Sequence, residues 1–124
     1  MAKRIMIVDD SMYTRLELRN LLLSHGYAVA GEASNGRAAV EMYDRIKPDL
    51  TIVDAQMPDM DGVCTIRQIH LLDPNALLLV CASSGERGIA MEAMSAGAVD
   101  LCVKPFVERA VTSTIRRALA GIVR

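Results

Sequence analysis

At 124 residues, 52% apolar and 23% charged, the chain can bury a core without disulfide staples. A formal net charge of -1, with no long run of one sign, gives direct nucleic-acid binding no support. No apolar run reaches membrane-spanning length and the N-terminus has no signal-peptide pattern, so the cytoplasm is the expected location.

Residues 4–8, RIMIV, read as a strand buried on both faces. Asp9 and Asp10 follow it directly, and Ser11 is a helix N-cap. A helix over 12–25 carries Met12, Leu16, Leu18, Leu21, Leu22 and Leu23 as a wide apolar face, with Gly26 as its C-cap. A weaker strand over 27–32 precedes the turn Ser34-Asn35-Gly36 and a helix over 37–46 that stops before Pro48. The next strand covers 50–53, the loop DAQMPDMDG follows, and a helix over 63–72 ends at Asp73-Pro74. A strand over 76–82 leads through a loop at 83–88 to a helix over 89–96 closed by Gly97. The last strand covers 100–103. The last helix, 107–122, aligns Val107, Val111, Ile115, Ala118 and Ile122 on one face.

Five strand–helix units in strict alternation require parallel strands with helices on both faces of the sheet. A doubly wound five-stranded α/β sheet of order 2-1-3-4-5 fits best, with one domain expected over residues 1–124. Cys64, Cys81 and Cys102 lie in apolar runs without a CxxC or Cys/His cluster and are expected to be reduced core thiols. His25 and His70 have no partner at ligand spacing and are expected on the surface. Met91 and Met94 are expected in the core, and Arg109, Arg116 and Arg117 on a solvated face.

In that strand order the first and third strands are neighbours, ~4.8 Å apart, and ligands bind beyond their carboxyl ends. Asp9 and Asp10 end the first strand and Asp54 ends the third. Three carboxylates meeting in one crevice need a positive partner, and an oxygen-only set suits Mg²⁺. Lys104 ends the fifth strand and points to the same crevice, with Pro105 suggesting a cis bond that aims it. Acids, a metal and a lysine suggest phosphoryl chemistry, with Asp54 as the nucleophile. Ser83-Ser84-Gly85 reads most simply as a turn and cap.

The segments IVDDS, PDLTIVDAQMPDMDG and GAVDLCVKPF resemble the receiver domain of two-component response regulators, and the likeness covers the whole chain. A stand-alone, CheY-like receiver is the nearest shape. The resemblance implies that Asp54 accepts a phosphoryl group and that Asp9, Asp10, Asp54 and the Gln56 backbone carbonyl hold Mg²⁺, Asp10 being the more direct ligand. It implies that Lys104 grips the phosphoryl group, and that a histidine kinase or phosphotransfer protein is the donor. An output protein, unidentified, would bind the face of the fourth helix, fifth strand and fifth helix. Gln56 and Ser84 flank the site and are candidates to tune phosphoryl lifetime.

Two positions depart from the family pattern. Ala82 stands where receivers carry Thr or Ser, so either the strand ends one residue later and Ser83 serves, or the hydroxyl contact is missing. Leu101 stands where many receivers carry Tyr or Phe. A receiver that binds its partner regardless of phosphate is therefore an alternative. A Mg²⁺-dependent aspartyl phosphatase is another, although such enzymes space their acids as DxD and here Asp9 and Asp10 are adjacent.

Overall fold

The computed structural model describes residues 1–121. Its elements run β1 (Arg4–Val8), α1 (Met12–Ser24), β2 (Ala28–Ala33), α2 (Gly36–Ile46), β3 (Leu50–Asp54), α3 (Gly62–Leu72), β4 (Leu78–Ser83), a 3-10 turn (Ser84–Glu86), α4 (Arg87–Ala96), β5 (Asp100–Lys104) and α5 (Glu108–Leu119). The five strands are parallel in the order β2-β1-β3-β4-β5, as the alternating pattern requires.

The pleat sends alternate strand residues to opposite faces. Met6, Val8, Val53, Val80 and Ala82 pack with α2, α3 and α4 through residues such as Tyr43, Ile66, Ile69, Ala90 and Ala93. Ile5, Ile7, Ile52, Cys81 and Cys102 pack with α1 and α5 through Leu18, Leu22, Val111 and Ile115. Both faces are thus covered, which is why the strands read as unbroken apolar runs. Registers that matter for the site are Val8 with Val53, Asp54 with Cys81, and Ser83 with Lys104.

Several helix expectations change. On α1 only Leu18, Leu21 and Leu22 are buried, while Met12, Leu16 and Leu23 are exposed, because one i, i+3, i+4 stripe suffices to meet the sheet. Ser11 caps α1, accepting from the Thr14 N–H, and Gly26 lies one residue past the cap His25 with φ +84°. Val107 is the exposed N-cap of α5 instead of part of its buried face, and the expected helix end at Ile122 lies outside the described residues. Met91 is exposed and only Met94 packs against the core. Cys64 is half-buried, whereas Cys81 and Cys102 are buried; all three are free thiols.

His70 is not a plain surface residue. Its ring packs against Gly97 (φ +140°), and its Nδ1 is buried without a partner. Arg117 leaves the solvated face that Arg109 and Arg116 share, donating to Ser113 Oγ and lying 3.4 Å from Asp100 Oδ2.

Candidate phosphoryl and metal site

The crevice lies at the carboxyl ends of β1, β3 and β5. Asp9 and Asp10 follow β1, Asp54 ends β3 and Lys104 ends β5. Ligand oxygens of Asp9, Asp10 and Asp54 lie within 4.8 Å of one another. Asp9 and Asp54 are buried and Asp10 is exposed. Lys104 Nζ donates to Asp54 Oδ1 at 2.9 Å and to Asp9 Oδ2 at 3.1 Å. The Lys104–Pro105 bond is cis.

The backbone holds the acids in place. The Asp9 N–H donates to the Ala33 carbonyl on β2, and its Oδ1 accepts the Ser11 N–H at 2.9 Å. Arg15 Nη1 donates to the Asp9 carbonyl at 2.6 Å and pairs with Glu32. Past Asp54, the Ala55 N–H donates to the Cys81 carbonyl, and the Gly62 N–H returns to the Ala55 carbonyl. That return presses Gly62 against the loop so closely that a Cβ there would overlap the Asp54 carbonyl oxygen. Gln56 lies exposed in this loop.

Charge is unbalanced: three carboxylates cluster, and among the described residues the one ammonium that bonds to them, that of Lys104, contacts only Asp9 and Asp54. Burial pushes the Asp54 carboxyl up to about 6, with the Lys104 hydrogen bond opposing and the Asp9 charge adding to the rise. Burial alone would lower Lys104, but the hydrogen bond and charge of Asp54, then Asp9, hold its ammonium above its ordinary value. An all-oxygen carboxylate set with surplus negative charge is what a hard divalent cation such as Mg²⁺ requires, so the residues fit that ion.

The four residues expected at the site, Asp9, Asp10, Asp54 and Lys104, come together. The expected hydroxyl does not. β4 ends one residue later than the sequence pattern predicts, at Ser83, the register partner of Lys104. Its hydroxyl nevertheless donates to Glu86 Oε1 at 3.1 Å, and its N–H donates to the same oxygen at 2.9 Å. Ala82 is buried toward α4. Below it, a cavity of about 420 Å³ is lined by Ala82, Arg87, Ala90, Met91, Met94 and Leu101.

Sequence reasoning passed over two residues here. Glu86 was legible as the fourth residue of Ser83-x-x-Glu86, a capping-box spacing. Arg15 had no local signal, because its target is a main-chain carbonyl.

Comparison with known proteins places the chain among receiver domains. The family model described as response regulator receiver domain matches residues 5–116. The chemotaxis protein CheY of Thermotoga maritima is 44% identical over 117 residues, 94% of this chain and 98% of that protein. The chemotaxis protein CheY of Bacillus subtilis is 39% identical over 119 residues, 96% of this chain and 99% of that one. Among solved structures, the response regulator domain of Thermotoga maritima CheB superposes with a TM-score of 0.88 at 30% identity, covering 97% of this chain and 98% of that one.

Proposed function

The chain belongs to the response regulator receiver domain family of two-component signalling, and on that premise we propose that it is a switch phosphorylated on Asp54. The observation that carries the reading is the Lys104 ammonium seated between Asp54 and Asp9 at the mouth of a three-acid cluster. A phosphohistidine on a histidine kinase or phosphotransfer protein is the donor, and acyl phosphates can substitute. An Asp54 carboxylate oxygen attacks phosphorus, the bond from phosphorus to the donor's imidazole nitrogen breaks, and its electron pair leaves with the imidazole. Lys104, already 2.9 Å from Asp54 Oδ1, meets the negative charge of the incoming oxygens. Asp9, Asp10, Asp54 and the Gln56 carbonyl would hold Mg²⁺. When bound, the ion supplies further neutralisation of phosphoryl charge.

The product is a bound signal that shifts the population of one conformation, not a released metabolite. The output partner docks on the face of α4, β5 and α5. The names of the two curated relatives point to chemotaxis as the process.

Intact-mass spectrometry after incubation with Mg²⁺ and acetyl phosphate tests the reading. A single phosphoryl adduct in the wild type, absent from Asp54→Asn, is the expected result. No adduct, with acetyl phosphate or with a cognate kinase, would overturn it. The buried Ala82 and the aliphatic Leu101 favour one second reading, a module that binds its partner without phosphate. In that case Asp54→Asn would leave partner affinity unchanged. Sustained phosphate release from small phosphate esters would instead indicate an aspartyl phosphatase.

A further inference from the structure

We propose that Arg15 is a positioning residue for the divalent cation: it fixes the peptide that joins Asp9 to Asp10, and so aims the Asp10 carboxylate into the cluster. This inference rests on the Mg²⁺ assignment proposed above.

The two adjacent acids are held by different means. The Asp9 side chain is buried and bonded at both oxygens, to the Ser11 N–H and to Lys104 Nζ. The Asp10 side chain is exposed, so packing does not hold it, and the backbone that delivers it sets its direction. That backbone starts at the Asp9 carbonyl. A peptide unit is planar, so fixing its carbonyl oxygen fixes the plane from which the Asp10 Cα departs.

The neighbouring strand runs out at this point. The Asp9 N–H donates to Ala33, the last residue of β2. One rung further the chain is already turning into α2, with Asn35 as its N-cap. A backbone carbonyl needs a donor where its ladder ends. Arg15, one turn into α1, supplies it, with Nη1 2.6 Å from the Asp9 carbonyl oxygen. The guanidinium is itself braced. Its Nε lies 3.4 Å from Glu32 Oε1 on β2, and Glu32 Oε2 accepts from Arg19 Nε at 2.7 Å. A planar fork held at two edges has a fixed orientation, which a lysine ammonium would not.

The sign of the charge separates this role from a simple electrostatic one. A guanidinium beside a cation site repels the ion. By charge alone, removing Arg15 would tighten Mg²⁺ binding; by position, it would loosen it.

The test is isothermal titration calorimetry of the folded proteins with MgCl₂, with urea denaturation in EDTA alongside. Arg15→Ala is expected to raise the Mg²⁺ dissociation constant about tenfold, the scale for a residue that orients a metal ligand. Arg15→Lys keeps the charge without the fork and is expected to weaken the ion as well; it serves also if the alanine variant does not fold. In an Asp10→Asn background, Arg15→Ala is expected to add no further loss, because its effect runs through Asp10. An unchanged or tighter dissociation constant in either variant, even with lowered stability, would overturn the proposal, since a merely structural contact or a charge effect would act in that way. An equal loss in the Asp10→Asn background would overturn it too. A wild type that binds no Mg²⁺ would overturn the metal assignment with it, whereas the Asp54 adduct is read separately by intact mass.

Discussion

Lys104 reaches across β4 to place its ammonium 2.9 Å from Asp54 Oδ1, although the two residues stand on strands that are not neighbours. The small side chains of Cys81 and Ser83 on the intervening strand leave this path open. Lys104→Met is expected to lower the rate of adduct formation from acetyl phosphate by about 100- to 1,000-fold, the scale of losing one preorganised donor at a reacting group. Time-resolved intact mass would measure it. A rate within a factor of two of wild type would mean that the lysine serves stability only.

The acidic cluster also sets a pH dependence. Asp54 titrates at about 6 in the folded protein against an ordinary value of 3.8, so between those values the folded state keeps a proton that the unfolded chain has lost. Stability of the metal-free protein from this group is expected to fall as pH rises through that window, by up to roughly 3 kcal/mol. Urea denaturation in EDTA across the window, with Asp54→Asn as reference, measures the difference. A wild-type curve that rises relative to the variant would contradict the assignment.

Divalent metal should reverse that penalty. Mg²⁺ at about 100 times its dissociation constant is expected to add roughly 2.7 kcal/mol to folding. Asp10→Asn removes the exposed member of the cluster and is expected to weaken the metal by about tenfold or more, as a first-rank ligand should. Thermal melts across a MgCl₂ series would read both, and an undiminished shift in the variant would exclude Asp10 as a ligand.

Gly62 is expected to tolerate no larger residue. Its φ is unremarkable for any residue type, but a Cβ would overlap the Asp54 carbonyl oxygen and crowd Ala55. Gly62→Ala is expected to cost roughly 1–3 kcal/mol through overpacking and to slow adduct formation by displacing Asp54. Chemical denaturation and intact mass together test this. Wild-type values for both would show that the loop yields freely.

The three thiols should separate by accessibility. Cys64 is half-buried on α3, whereas Cys81 and Cys102 face each other in register within the sheet. The hydrogen bond between Cys81 and Cys102, with burial, pushes the Cys81 thiol up, so it is a poor nucleophile. Maleimide at neutral pH is expected to label Cys64 first and the strand pair only on unfolding. Fast labelling of Cys81 would mean that the β4–β5 edge opens readily.

Much of this was readable from local pattern. Strands buried on both faces announce themselves as apolar runs, and an acid or lysine directly after such a run must lie at a strand's carboxyl end. Asp9, Asp10, Asp54 and Lys104 follow from that rule and the strand order alone. The direction of a side chain at a strand end is another matter. Whether Ala82 or Ser83 shares the face of Asp54 depends on register between β3, β4 and β5, which no local pattern encodes. The exposed Met12, Leu16 and Leu23 show the same limit, since hydrophobicity marks candidates for burial but the sheet decides how wide a stripe it covers. His70 beneath Gly97 depends on the packing of α3 against α4, and neither segment signals it.

Asp9 and Lys104 touch across 95 positions of sequence, and Asp54 stands between them on the central strand. A fragment that ends before β5 cannot carry the three together. On the proposed function, full competence to receive a phosphoryl group is thus also a certificate of folding: a nascent or damaged molecule whose β5 has not docked offers acids without their lysine. On that same function, such molecules would answer the phosphoryl donor far more slowly than folded ones, and would be quieter instead of sending a false message.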